Sequence, residues 1–288
     1  MRGRILSSLY GVYKVEAERQ IYEVKSRGVL RHRGIQPSVG DICEFDEKEK
    51  VMTAILPSKN RLIRPSIANI DRAYIVMSTH EPEFSSYLID KFLTYLAAYH
   101  VPSGIIISKV DQCDSFDRFE KWKEKYRDLD IPIHFLSTKE EKGREAFLAT
   151  LTGKIILFLG QSGVGKSSLL NWIMPEYQRS IGTYSSALGR GKHQTKEVVL
   201  LPYQNGYLAD TPGFSSLDLF LTKQQIAQYF PRISSFYGTC YFKDCIHEHE
   251  KNCQLKKAIE KKEIPEDLYE NYLTLLAESE NRKRRESI

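Results

Sequence analysis

The chain has 288 residues, 41% of them hydrophobic and 27% charged, proportions that exclude a disordered chain, a collagen-like fibre and a coiled coil. No apolar run reaches the ~18 residues a membrane-spanning helix needs, and Met1-Arg2-Gly3-Arg4-Ile5-Leu6 lacks the apolar core of a signal peptide, so a cytoplasmic protein is expected. The net charge of +5 sits at one end: residues 1–66 hold 13 Lys/Arg against 8 Asp/Glu, whereas residues 218–288 hold 12 of each, which suits either a polyanion-binding N-terminal module or simply a soluble surface.

Residues 3–10, 12–17, 21–25 and 41–45 carry β-branched and aromatic residues, with Gly11, Gly28, Gly34, Pro37 and Gly40 between them. Short strands punctuated by turns predict a small closed barrel, either an oligonucleotide-binding (OB) or an SH3-like one. From residue 71 the texture changes. Apolar strands at 73–77, 104–107, 133–136 and 155–159 alternate with helical stretches at 84–99, 116–127, 143–151 and 166–174. Such alternation predicts a mostly parallel sheet covered on both faces. Residues 197–201 and 207–209 flank the turn-rich Tyr203-Gln204-Asn205-Gly206 and read as a hairpin. Beyond residue 218 the chain turns polar, with short helices at 222–229 and 254–262 and a last one at 265–279. That helix leads into the basic Arg282-Lys283-Arg284-Arg285.

The strongest motif is Gly160-Gln161-Ser162-Gly163-Val164-Gly165-Lys166-Ser167-Ser168, a G-x-x-x-x-G-K-S loop between a strand and a helix. Its glycines let main-chain N–H groups wrap phosphates, Lys166 reaches the outer phosphates, and the Ser167 hydroxyl is a Mg²⁺ ligand. Asp210-Thr211-Pro212-Gly213 closes a later strand, where Asp210 can hold Mg²⁺ through water and the Gly213 N–H can sense a γ-phosphate. Ser108-Lys109-Val110-Asp111 resembles the N-K-x-D loop of GTPases, whose Asp accepts from guanine N1 and N2. Here Ser108 stands where Asn is usual. Ser137-Thr138-Lys139 resembles the short S-A-K loop that also touches the base.

These base-reading segments precede the phosphate loop, the reverse of the usual order, so the nucleotide domain is circularly permuted. Between phosphate loop and Asp210 lies Gly189-Arg190-Gly191-Lys192-His193-Gln194-Thr195, a candidate switch loop whose Thr195 can close on Mg²⁺. Phe214 follows the D-T-P-G segment where Ras carries a water-orienting Gln. His193 is the candidate to take over that task, the alternative being an ordinary surface histidine.

Five cysteines are an odd number, and Cys43 and Cys113 stand alone. The other three form Cys240-x₄-Cys245-x-His247-x₅-Cys253, which suits a closed structural Zn²⁺ site in a reducing compartment. His249 is an alternative ligand, and free thiols are an alternative to the metal.

Taken together, the permuted order, GQSGVGKSSLLN, GRGKHQT, LADTPGF, the Cys/His spacing and Arg64-Pro65…Ala68-Asn69-Ile70-Asp71 resemble the RsgA (YjeQ/YloQ) family of small-ribosomal-subunit biogenesis GTPases over the whole chain. The resemblance implies an OB barrel at 1–66, a permuted P-loop GTPase domain at 67–217 and a helical zinc-binding domain with a basic tail at 218–288. It implies a protein that uses GTP/GDP with Mg²⁺ and one structural Zn²⁺, binds the small subunit and its rRNA, and hydrolyses GTP when stimulated by that subunit; a monomer without a membrane partner is expected. It places His193 as the catalytic histidine and Cys240, Cys245, His247 and Cys253 as zinc ligands. Gln194 stands where the family commonly has Thr, which leaves Thr195 for Mg²⁺. Two other readings are an RNA-binding assembly factor that uses GTP and GDP only as conformational ligands, and an ATPase.

Overall fold

The computed structural model describes residues 1–27, 36–113, 115, 117–141, 143–175, 198–211, 217 and 219–286. Gly182, residues 189–195 with His193, Gln194 and Thr195, and residues 212–216 with Gly213 and Phe214 lie outside the described residues, as do the side chains of Arg282, Lys283, Arg284 and Arg285.

Five strands come first: β1 (Arg2–Leu9), β2 (Val12–Ala17), β3 (Gln20–Ser26), β4 (Ile42–Asp46) and β5 (Val51–Ile55). They pair in the order β1-β2-β3-β5-β4, and a β1–β4 pairing closes the barrel. The hairpin turns at Tyr10-Gly11 and Glu18-Arg19 have positive φ at both central residues, which matches the twist of the flanking strands. In β2, alternate residues Tyr13, Val15 and Ala17 point inward and meet Ile5, Val24, Phe45 and Met52 in the barrel core. The β5 strand lies outside the four expected ones. Its five residues follow the charged run Asp46-Glu47-Lys48-Glu49-Lys50, which reads as a loop, yet β5 is needed to close the barrel. A two-stranded ribbon of β6 (Arg61–Leu62) and β7 (Ile67–Ala68) straddles residue 66.

The second unit contains β8 (Arg72–Ser78), α1 (Ser86–Ala98), β9 (Ser103–Ser108), α2 (Asp117–Glu124), β10 (Ile133–Phe135), α3 (Arg144–Ala149), β11 (Ile155–Leu159), α4 (Lys166–Ile173), β12 (Val199–Tyr203) and β13 (Gly206–Asp210). The strand order is β10-β9-β8-β11-β13-β12. All neighbours are parallel except β12 against β13. The continuous apolar runs have a two-residue logic. Ala73, Ile75, Met77, Ile155, Leu157 and Leu159 enter one core, while Tyr74, Val76, Ile156 and Phe158 enter the core on the opposite face. The hairpin β12–β13 turns on Gln204 and Asn205, both at positive φ.

The barrel and the parallel sheet are continuous, because β1 pairs β12 at Ser7 and Val199. The C-terminal unit adds α5 (Lys223–Tyr229), α6 (Gln254–Glu260) and α7 (Glu266–Glu286). A reciprocal capping box between Thr222 and Gln225 starts α5. Helix α7 runs past the expected end at 279, since the apolar period stops there but Glu, Arg and Lys still favour helix. Helix α1 packs against α5 and α7, and buried Asp90 is central to that junction. It accepts from Tyr126 Oη at 2.5 Å and from Asn271 Nδ2 at 2.7 Å. Among the described residues no helix is long and apolar enough to cross a membrane.

Candidate nucleotide site and metal centre

The carboxyl ends of β8, β9, β10, β11 and β13 lie on one side of the sheet, where ligands of open α/β sheets bind. They bring together segments far apart in sequence: 108–111, 137–139, 160–168 and 210.

The phosphate loop leaves β11 at Gly160, whose φ is +143° and where a Cβ would lie 2.3 Å from the Val76 carbonyl oxygen. Only glycine fits that conformation and that approach. Val164 is fully buried beneath the loop. Gly165 leads into α4 at φ +97° without a side-chain cap, so the first-turn N–H groups are available to an anion. Lys166 Nζ donates to the carbonyls of Gly160 and Gln161, both at 2.6 Å. Burial lowers its pKa from the ordinary lysine value, which is the cost an incoming phosphate charge would offset. A cavity of about 260 Å³ opens here, lined by Ser162, Gly163, Lys166, Ser167, Asp210 and Thr211 among others. Ser167 and Asp210 thus line one cavity, a hydroxyl and a carboxylate suited to a hard divalent cation. Ser168 lies beside Ser167 on the same wall.

The base-reading segments converge as well. Ser137 Oγ donates to Asp111 Oδ1 at 2.8 Å, and Lys139 Nζ lies 3.7 Å from Asp111 Oδ2. Ser137 in turn accepts from the N–H groups of Lys139 and Glu140 at 3.2 and 3.1 Å. The Asp111 carboxylate is therefore aimed by a neighbouring strand end, with Thr138 in the loop between. Lys109 sits at φ +58°, and its Nζ donates to the carbonyl of Glu81. Val110 is buried and anchors the turn. The Ser108 hydroxyl donates to the phosphate loop, 2.6 Å from the Val164 carbonyl. Residues 78–82 escape a sequence reading. Ser78 Oγ donates to the Pro82 carbonyl at 2.8 Å, Thr79 Oγ1 donates to that of Lys109 at 2.7 Å, and Pro82 lies 3.5 Å from a Cβ built on Gly163. Nothing but a Ser-Thr pair after an apolar strand marks this wall.

The cysteine cluster closes in space. One ligand atom each from Cys240, Cys245, His247 and Cys253 lie within 4.8 Å of one another, all four residues being buried. His247 Nδ1 is 3.5, 3.4 and 3.3 Å from the sulfurs of Cys240, Cys245 and Cys253, and the Cys240 and Cys253 sulfurs are 3.9 Å apart. A tetrahedron with ~2.3 Å metal–sulfur and ~2.0 Å metal–nitrogen arms has edges of roughly 3.5–3.8 Å, so the donor set fits a Zn²⁺-type ion. Nδ1 is the imidazole atom inside the cluster. His249, the alternative ligand, is excluded because its side chain is 87% exposed beside Glu248. Burial pushes the Cys245 thiol up to about 12 and raises Cys253 too. Without a cation the site favours neutral thiols, and a cation is what would hold thiolates there. The Gln254 N–H donates to Cys240 Sγ at 3.2 Å, and Glu250 accepts from the N–H groups of Ile246, Glu248 and His249. The loop is thereby shaped around its ligands.

The family model described as "RsgA GTPase" matches residues 55–220, and "RsgA N-terminal domain" matches residues 2–55. The chain belongs to the RsgA GTPase family. Among RsgA relatives, the Streptococcus pyogenes "Small ribosomal subunit biogenesis GTPase RsgA" is 42% identical over 287 residues, covering 98% of this chain and 97% of that one. The Halalkalibacterium halodurans protein of the same name is 38% identical over 290 residues, covering 99% of each. The crystal structure of YjeQ from Thermotoga maritima superposes with a TM-score of 0.80 at 34% identity, covering 96% of this chain and 98% of that one. YloQ, described as a circularly permuted GTPase, gives 0.79 at 32% identity, with 98% and 95% covered. This chain is a circularly permuted GTPase with an OB-like five-stranded barrel ahead of it and a Cys₃His cluster behind it.

Proposed function

We propose that this chain is a Mg²⁺-dependent GTP hydrolase of the cytoplasm that acts as a monomer in assembly of the small ribosomal subunit. It comprises a barrel at 1–66, a GTPase domain at 67–217 and a zinc-binding unit at 218–288. The observation that carries the reading is the meeting, at one sheet edge, of a cavity walled by Lys166, Ser167 and Asp210 with an Asp111 carboxylate aimed by Ser137. The names of the relatives that align over nearly their whole length support the ribosomal setting.

In this reading the amides of Ser162, Gly163, Val164, Gly165, Lys166, Ser167 and Ser168 wrap the phosphates, with Gly160 and Gln161 opening the GTP-binding loop. Lys166 leaves its two loop carbonyls for the β- and γ-phosphates. Ser167 and Thr195, with Asp210 through water, would hold Mg²⁺, which would supply neutralisation of charge developing on the phosphate oxygens. Gly213 senses the γ-phosphate, and His193 orients the attacking water. Asp111 accepts from guanine N1 and N2, the Lys109 stem covers the base, and Ser108, Val110, Ser137 and Thr138 complete the base-side frame. Zn²⁺ on Cys240, Cys245, His247 and Cys253 is structural. The barrel, with its excess of Lys and Arg, and the zinc unit grip rRNA largely through phosphates and shape.

The base assignment is tested by Asp111→Asn, which swaps an acceptor for a donor. GTP affinity should fall by about 100-fold or more, two charge-assisted hydrogen bonds being lost. Xanthosine triphosphate, which carries an acceptor at that edge, should gain. Equal GTP affinity in the variant contradicts the assignment.

A further inference from the structure

Ser108 holds the place where an Asn amide would have two N–H donors to share. A serine hydroxyl has one. In this chain that proton is committed to main-chain carbonyls: Ser108 Oγ lies 2.6 Å from the Val164 carbonyl and 3.1 Å from that of Met77. Val164 immediately precedes Gly165 and Lys166, so the bond joins the end of β9 to the phosphate loop one residue before its turn into α4. The hydroxyl is also 4.0 Å from a Cβ built on Gly165, wedged under that turn. The Ser108 main chain is fixed too, since its carbonyl accepts from the Thr79 N–H at 3.1 Å. Ser108 therefore has neither a spare proton nor freedom to swing toward a base.

We propose that Ser108 is a positioning residue that braces the phosphate loop through Val164, and that the N7 edge of bound guanine receives no side-chain donor from this position. The proposal rests on the GTP reading above and deepens it. Two consequences separate. Base selection falls to Asp111, which reads N1 and N2, so an analogue altered only at N7 is tolerated. Phosphate binding depends on the brace, because removing the hydroxyl frees the Val164 carbonyl and the loop it shapes.

The test is displacement of fluorescent GDP from the full-length chain by GTP, 7-deaza-GTP and ATP, in wild type, Ser108→Val, Ser108→Thr and Ser108→Asn. Wild type should bind GTP and 7-deaza-GTP within about twofold. Ser108→Val should weaken both by the same factor, roughly tenfold for one hydrogen bond to a buried carbonyl. Ser108→Thr, which differs from Val by the hydroxyl alone, should recover most of that loss, which a purely steric role would not allow. Ser108→Asn regains an amide donor and should prefer GTP over 7-deaza-GTP by about fivefold or more, the signature of a restored N7 contact. A wild-type preference for GTP over 7-deaza-GTP that disappears in Ser108→Val overturns the proposal, as does a Val variant that binds all ligands like wild type. If wild type binds ATP as tightly as GTP, the guanine reading itself fails and the N7 half falls with it. The brace is then still decided by whether Ser108→Val weakens ATP.

Discussion

At the scale of single residues, the site is built from positions where little else fits. Gly160 combines a left-handed backbone with a main-chain oxygen where a Cβ would stand. Gly160→Ala should therefore destabilise the fold by about 2 kcal/mol or more and reduce nucleotide binding below detection, measured by denaturant unfolding and by GDP titration. Wild-type stability in that variant would contradict the geometry. The G-x-x-x-x-G-K-S spacing made this loop legible, because the motif is itself a statement of backbone geometry. The destination of the Ser108 hydroxyl was not legible, since a hydrogen bond to Val164 spans 56 residues of chain. Spacing favoured His247 as the ligand and kept His249 as an alternative, and the burial that separates them was not legible. The two are neighbours on one turn, and only the fold buries the first and leaves the second at 87% exposure.

Among elements, apolar runs buried on both faces announced β8, β9 and β11, and the helices between them followed from period. Strand β5 was hidden because it follows a charged turn and its parallel pairing with β3, Lys25 opposite Val51, is remote in sequence, so nothing local marks a barrel closure. The pairing of β1 with β12 was equally invisible. It fixes the barrel to the hairpin whose second strand ends at Asp210. The hydroxyl of Tyr207 on that strand donates to Glu16 of the barrel, and Arg4 lies over its ring at 5.6 Å. The loop segment 238–253 has few apolar residues of its own, and the buried Cys/His cluster lies at its centre. Purified protein should carry about one equivalent of zinc by atomic emission. Cys253→Ser should lose the metal and lower the melting temperature by several degrees, consistent with metal binding contributing folding energy. A metal-free wild type of unchanged stability would contradict the site.

Across the whole molecule, the GTPase sheet and the C-terminal helices are joined through Asp90. Burial lifts its pKa to about 7, against the pull of Tyr126, Asn271 and Lys125. An unfolded aspartate titrates near ~3.9, so between about pH 4 and 7 the folded state binds more protons than the unfolded one. Stability from this group is full at low pH and lost as pH rises toward 7, then level above it. Asp90→Asn stays neutral throughout. The unfolding free energy of wild type relative to Asp90→Asn should drop by about 2–4 kcal/mol from pH 5 to pH 8, measured by urea unfolding. A difference that does not change with pH would contradict the assignment.

The central claim is that one permuted site selects the guanine base and hydrolyses GTP in answer to the small ribosomal subunit. Phosphate release from GTP and from ATP, with and without purified small subunits, tests it most directly. Release should be confined to GTP, rise at least ~10-fold with subunits as catalytic loops are completed in trans, vanish in Lys166→Ala, and fail in His193→Ala despite retained GTP binding. Equal release from ATP, or tight GTP binding with no response to subunits, would contradict the account. The second result would leave a nucleotide-gated RNA-binding factor in its place.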